Sequence, residues 1–201
     1  DRGNGPETLA RRLEQLDGWA APAQSWENEL LPARINHYSG MLLDQLGAGG
    51  QLAWARFHGR TGGTATERKR RNGPVKATPI SLCSRESLPG WRSIWPLASP
   101  DDIELSSAAE KLLEPLTTGP QFYGDLVKAS RLLPTQAEDA LGELVAWGLV
   151  SADGFAGLRA LIKPASKSKQ PWAQARRRRG SAGTARGPRI NFGGMEAGGR
   201  W

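Results

Sequence analysis

Cysteine is almost missing from this chain: Cys83 is the only one in 201 residues. A single thiol excludes an internal disulfide framework and suits a reducing cytoplasm. Cys83 also sits in an apolar, strand-like run, which reads as a buried structural thiol rather than a nucleophile. Histidine is nearly as scarce, with His37 and His58 only, and no metal-ligand spacing arises among these three residues. No Ser–His–Asp set suggests itself, and His37 beside Tyr38 reads as a helix-entry residue rather than a base. No GxxxxGK[ST] phosphate loop occurs, so the segment does not bind ATP by that device. No apolar run approaches the roughly 18 residues of a membrane span, and no signal peptide opens the chain. The sequence begins without Met and stops at Gly199-Arg200-Trp201, as a piece of something longer would. What remains is a chain long enough for one or two domains, with 25 Gly and 14 Pro making part of it loop-like.

The best-written stretch runs from Ser106 to Ile162. Ala108, Ala109, Leu112, Leu113 and Leu116 fall on one helical face, and Gly119-Pro120 stops it. A short second helix follows in FYGDLVKAS with Phe122, Leu126 and Ala129 inward. After the turn at Arg131 to Pro134, Thr135 and Glu138 have the spacing of a capping box. The third helix buries Ala137, Leu141, Leu144 and Val145 and ends at Gly148. Leu149 to Ser151, a turn at Ala152-Asp153-Gly154, and Leu158 to Ile162 predict a small β wing. Helix, short helix, tight turn, helix and hairpin spell a winged helix-turn-helix.

Such a unit ordinarily offers its third helix to a DNA groove, but the charges argue otherwise. Seven acids face four bases between residues 106 and 162, and Glu138, Asp139 and Glu143 lie on the outer face of helix three. Groove entry needs cations on the approaching face. The expectation is that this unit packs against protein.

Residues 7–83 read as a first, less cleanly written winged-helix unit. Leu9, Leu13 and Leu16 give a helical stripe that ends near Gly18. A helix or helix pair spans Gln24 to Ile35, with a kink or break at Pro32. A third helix covers Tyr38 to Leu46 and is stopped by Gly47 to Gly50. Gln51 to Phe57 alternates like a half-buried strand. Trp19, Trp26 and Trp54 read as packing residues. Between the strand-like runs LAWARF and KATPISLC lies a glycine-rich loop (about 58–74). From 56 to 76 the chain holds Arg56, Arg60, Arg68, Lys69, Arg70, Arg71 and Lys76 against Glu67 alone. This is where a winged helix carries its wing, and cations there can follow a phosphate backbone without reading sequence. A connector (84–105) follows, with a short helix around Leu88 to Trp95 that can dock on the first unit. Residues 163–192 read as a flexible basic linker in which Arg176, Arg177, Arg178 and Arg179 offer a non-specific phosphate contact. Residues 193–201 read as the start of a further domain. The expected class is mainly α with small β wings: tandem winged-helix domains plus a disordered basic tail.

The run LEQLDGWAAPAQSWENELLPARINHYSGMLLDQLGAGGQLAWARF resembles the region beyond the motor in bacterial large helicase-related (Lhr) proteins. KATPISLCSRE, ALGELVAWGLVSADGFAGLRALI and the terminal GGRW agree with it. The specific features are the spacing of SWE, LPARI, the Leu43-Asp44 pair, the tryptophan strand, TPI and DGFAGLRAL, and the resemblance covers about residues 8–162 and the last few. It implies a segment of a superfamily 2, ATP-dependent 3′–5′ DNA or RNA–DNA helicase that acts in DNA repair. The motor, with its ATP and Mg, would lie N-terminal to this segment, which needs no cofactor of its own. Implied partners are single-stranded DNA or an RNA–DNA duplex through phosphates and the rest of the same long chain. No membrane is involved, a homo-oligomer is compatible, and the location is cytoplasmic and nucleoid-associated. The family's extended C-terminal region also resembles tandem winged-helix DNA glycosylases with a uracil-excising activity. The alternative is therefore that this segment is part of a glycosylase module. The expectation is that no glutamine-x-glutamine or glutamine-x-aspartate signature of those glycosylases is present, so no catalytic residue is carried over.

Overall fold

The computed structural model describes residues 3–57, 75–95, 103–162 and 194–201. The protein is mainly helical, with one small antiparallel sheet among the described residues.

Helix α1 (Gly5–Glu14) has Pro6 in its first turn, where a missing N–H does no harm, and buries Leu9 and Leu13. Strand β1 (Ala20–Pro22) follows; the sequence pattern does not anticipate it, because three residues are too few to show a period. Pro22 is tolerated there since β1 is an edge strand. Helix α2 (Ala23–Ser25) runs directly into a π-helical turn, Trp26–Leu30. The buried Trp26 indole donates to the Ile80 carbonyl at 2.8 Å and so pins this turn to the sheet. Helix α3 (Gly40–Ala48) is capped by Ser39, whose hydroxyl accepts from the Met41 N–H. Strands β2 (Leu52–Ala55) and β3 (Pro79–Ser84) pair antiparallel with Ala55 opposite Ser81, and the sheet order is β1-β3-β2. Helix, strand, helix, helix, strand, basic connection, strand is the order of a winged helix.

Strand β2 is buried on both faces, not half-buried as its alternation predicts. Leu52 and Trp54 enter the main core, while Ala53 and Ala55 join Phe57 and Cys83 in a second cluster. Helix α4 (Leu88–Ile94), the docking helix expected within the connector, covers that outer face. Its Trp91 stacks on Phe57 at 6.0 Å and on Trp95 at 5.5 Å. Asp17 fixes α4, accepting from Ser87 Oγ at 2.7 Å and from Trp91 Nε1 at 3.1 Å. Cys83 is a buried free thiol, and burial, with the Asp17 charge nearby, pushes it up to about 12. At pH 8 a disulfide reagent should leave the folded chain's thiol untouched while the urea-unfolded chain reacts fully. Rapid reaction of the native chain would mean that α4 opens readily from the sheet.

The second unit begins with α5 (Ser107–Thr117), α6 (Tyr123–Ser130) and α7 (Pro134–Trp147). Glu143 is not a free surface acid: it accepts from Ser106 N and Oγ at 2.9 and 2.6 Å, completing the cap of α5. The expected capping box at Thr135 and Glu138 is displaced by two residues. Pro134 takes the first helical position, Leu133 is the cap, and Gln136 Oε1 accepts from the Leu133 N–H at 3.1 Å. A leucine side chain has no acceptor, so only this half of the exchange exists.

The expected second wing is also corrected. Residues 155–162 form helix α8 (Phe155–Ile162), not a strand. Phe155, Leu158 and Ile162 share a helical stripe, and the buried Gly157 lets residues 194–201 cross closely. That segment, expected to open a further domain, packs on α6 and α8. Phe122 and Arg200 form an antiparallel bridge, Gln121 and Trp201 exchange backbone hydrogen bonds at 3.1 and 2.9 Å, and Trp201 is buried edge-on to Trp54. One hydrophobic cluster runs from Leu9 and Trp26 through Trp54 to Leu141, Phe155 and Trp201, so both units share it.

Candidate nucleic-acid interface

Of the cations that the sequence nominates, the structure describes two. Arg56 follows β2, its carbonyl against Gly148 at the end of α7. Lys76 is exposed in a short 3-10 turn (Val75–Ala77), whose Val75 packs on Gly142 of α7. Both ends of the basic connection therefore rest on the second unit. Arg60, Arg68, Lys69, Arg70, Arg71 and Arg176 to Arg179 lie outside the described residues.

The two helices in the groove-reading position carry no cation at all. Helix α3 reads GMLLDQLGA and α7 reads PTQAEDALGELVAW. Half of α7 is buried, including Ala140, Gly142 and Trp147, because it packs on the first unit as well as its own. Steric cover and an acidic outer face therefore coincide on α7.

A cluster that the sequence pattern does not assign joins the two units. Arg159 of α8 reaches Glu27 in the π turn through Nε at 2.6 Å and one terminal nitrogen at 2.7 Å. The same guanidinium reaches Asp44 of α3 at 2.9 and 3.0 Å and the Gly40 carbonyl at 3.3 Å. Tyr38 donates to Glu27 at 3.0 Å. Burial disfavours the charged guanidinium, but its bonds to Glu27 and Asp44 outweigh that and hold its pKa above the ordinary value. Burial, with the Glu27 charge and hydrogen bond, raises Tyr38 and keeps it protonated. These groups line a cleft of about 430 Å³ together with Asn28, Ser39 and Met41. Both carboxylates are engaged by one cation, which makes the cluster a tie between units rather than an acid–base pair. Its three charged members fall within SWE, the Leu43-Asp44 pair and DGFAGLRAL, the motifs that carry the resemblance. A lone cation in the apolar run FAGLRALI was the available signal.

One triplet, Gln15-Leu16-Asp17, does have the glutamine-x-aspartate spacing of the glycosylase signature. Both oxygens of its carboxylate are occupied by Ser87 and Trp91. No group of three or more metal-ligating side chains occurs among the described residues, and no described helix is long and apolar enough to cross a membrane.

Residues 1–77 match the family model described as large helicase-related protein, winged-helix domain. The chain is 26% identical over 207 residues to the "Lhr helicase/uracil glycosylase" of Escherichia coli (strain K12), covering 98% of this chain and 12% of that protein. It is 26% identical over 184 residues to the "Lhr helicase/ probable uracil glycosylase" of Mycolicibacterium smegmatis, covering 87% of this chain and 11% of that protein. This chain therefore spans about a tenth of the length of the relatives it matches. With the winged-helix order of its first unit, these matches support a likeness between this chain and the C-terminal region of large helicase-related (Lhr) proteins.

Proposed function

We propose that this segment holds nucleic acid for an Lhr-type ATP-dependent helicase of DNA repair, through the phosphates and without reading sequence. The observation that supports this is the division of charge. Seven cations against one acid occupy residues 56–76, between two strands paired in wing topology, while α3 and α7 offer none. Phosphate contact requires cations, and they lie on the wing connection. The second unit braces the first and links it to the rest of the long chain. The motor, with its ATP and Mg, belongs to other parts of the parent protein.

The test is single-stranded DNA binding across a salt series, comparing the chain with a variant in which Arg68, Lys69, Arg70 and Arg71 are all alanine. Every phosphate that the variant no longer neutralises should flatten the log–log slope by roughly 0.7. A slope lower by about 2 to 3, with weaker binding, is expected on that basis. An unchanged slope would overturn the wing assignment and move the contact to Arg176 to Arg179.

The names of both relatives favour one second reading, that the segment forms part of a uracil glycosylase module. It predicts abasic sites in uracil-containing DNA without ATP, measured as alkali-labile strand cleavage. No cleavage above the buffer control would remove it.

A further inference from the structure

We propose that Arg159 is a duplex-excluding residue: by tying α8 alongside α3, it denies the first unit's groove-reading helix entry into a double helix. The inference rests on the nucleic-acid-binding reading above and deepens it, because it names the strand state that the site accepts and the residue that sets it.

The nine residues of α3 divide into three stripes. Leu42, Leu43 and Leu46 face the core. Gly40, Asp44 and Gly47, at positions i, i+4 and i+7, face α8 and the turn before it. A side chain at Gly40 would meet the Arg159 guanidinium at 2.8 Å, and one at Gly47 would meet Gly154 Cα at 3.4 Å. Asp44, between them, is bonded to Arg159. Since residue 40 faces 159 and residue 47 faces 154, the two helices run antiparallel. Only Met41, Gln45 and Ala48 remain open to solvent, again at i, i+4 and i+7. Met41 is 70% exposed, and none of the three is charged.

Dimensions decide the consequence. A helix with its side chains is about 10–12 Å across, and the major groove of B-DNA is about 12 Å wide. One helix fits. Two helices packed at the usual 8–10 Å between axes span roughly 20 Å, which the groove does not admit. The open stripe also lacks the cations that place a helix on a duplex backbone. A single strand makes no such demand, because it can follow cations on the wing connection without inserting any helix.

The tie has the chemistry of a specific lock rather than a loose surface pair. The guanidinium serves two carboxylates at once, each through two nitrogen–oxygen contacts, with its side chain 20% exposed. Lysine at 159 would present a point charge and lose that fork.

The test uses the 201-residue chain and two fluorescent probes at low salt, an oligothymidylate of about 20 nucleotides and a blunt duplex of about 20 base pairs. Arg159→Ala is expected to raise duplex affinity about tenfold while changing single-strand affinity less than about twofold. Arg159→Lys should fall between. Thermal melts and near-ultraviolet circular dichroism check the fold. Should Arg159→Ala fail to fold, the volume-conserving pair Glu27→Gln with Asp44→Asn releases the same guanidinium and gives the same comparison. A duplex-to-single-strand ratio that stays at its wild-type value in the folded variant overturns the inference while leaving wing binding intact. Wild-type chain that binds neither probe, with a variant that gains the duplex, overturns the wing reading and upholds the exclusion. No binding by any variant overturns both.

Discussion

Replacing Trp201 by alanine should destabilise the protein by about 3–5 kcal/mol, the usual range for removing a buried large aromatic. The ring is 5% exposed, lies edge-on to Trp54 at 6.2 Å, and approaches Gly157 so closely that an added Cβ would stand 2.8 Å from it. Sequence position argues the reverse, since Trp201 follows a long basic stretch with little apolar pattern. Yet its backbone exchanges two hydrogen bonds with Gln121, and the neighbouring Arg200 bonds Asp153 through both its carbonyl and its guanidinium. Trp201→Phe should be far milder, at about 1 kcal/mol. Among the described residues the buried indole Nε1 has no hydrogen-bond partner, so its removal gives up none of their hydrogen bonds and relieves an unsatisfied donor. Urea unfolding of the two variants, with the slope unchanged from wild type, makes the comparison. A loss below about 1 kcal/mol for the alanine variant, far under the usual range, would mean that residues 194–201 are peripheral to the second unit.

Gly148→Val should be nearly as damaging, at about 2–4 kcal/mol, because dihedral strain and overpacking add there. Gly148 closes α7 in the left-handed region at φ 77°, where a β-branched residue is strained. Its missing Cβ would also stand 2.8 Å from the Arg56 carbonyl oxygen, a backbone atom at the base of the wing connection that cannot rotate away. Gly50 separates the two contributions. It has a similar φ of 68° with nothing within 4 Å of the Cβ position, so Gly50→Val should carry the dihedral strain alone. Equal losses at the two sites, measured by thermal or urea unfolding, would show that the contact with Arg56 contributes nothing.

The helices were legible because their signals are local. Leu9 and Leu13, Leu112 with Ala109, and the Ala137–Leu141–Leu144–Val145 stripe are all buried as their spacing predicts. Gly148 ends α7 where a helix needs a left-handed residue. The pairing of LAWA with PISLCS was also readable, since both runs have strand composition and flank one loop. Where pattern and structure part, the deciding contacts are distant. Phe155 to Ile162 is apolar and short, so its period alone does not separate a strand from a helix; packing on α3 and the close crossing at Gly157 and Gly198 decide for the helix. The alternation in β2 predicts a wet face that α4, beyond the whole basic connection in sequence, then covers.

The candidate site divides in the same way. The sequence by itself determined where the cations are: a basic connection at 56–76, a basic stretch beyond Ile162, and two groove-position helices with none. Charge follows from residue identity and needs no fold. Only the tertiary structure decided what Arg159 does. Its partners lie 132 and 115 residues away, and no periodicity or cap connects such positions. A guanidinium adopts two carboxylates only when distant chain segments arrive together, and here the shared core of the two units, from Leu9 to Trp201, brings α3, the π turn and α8 within its reach.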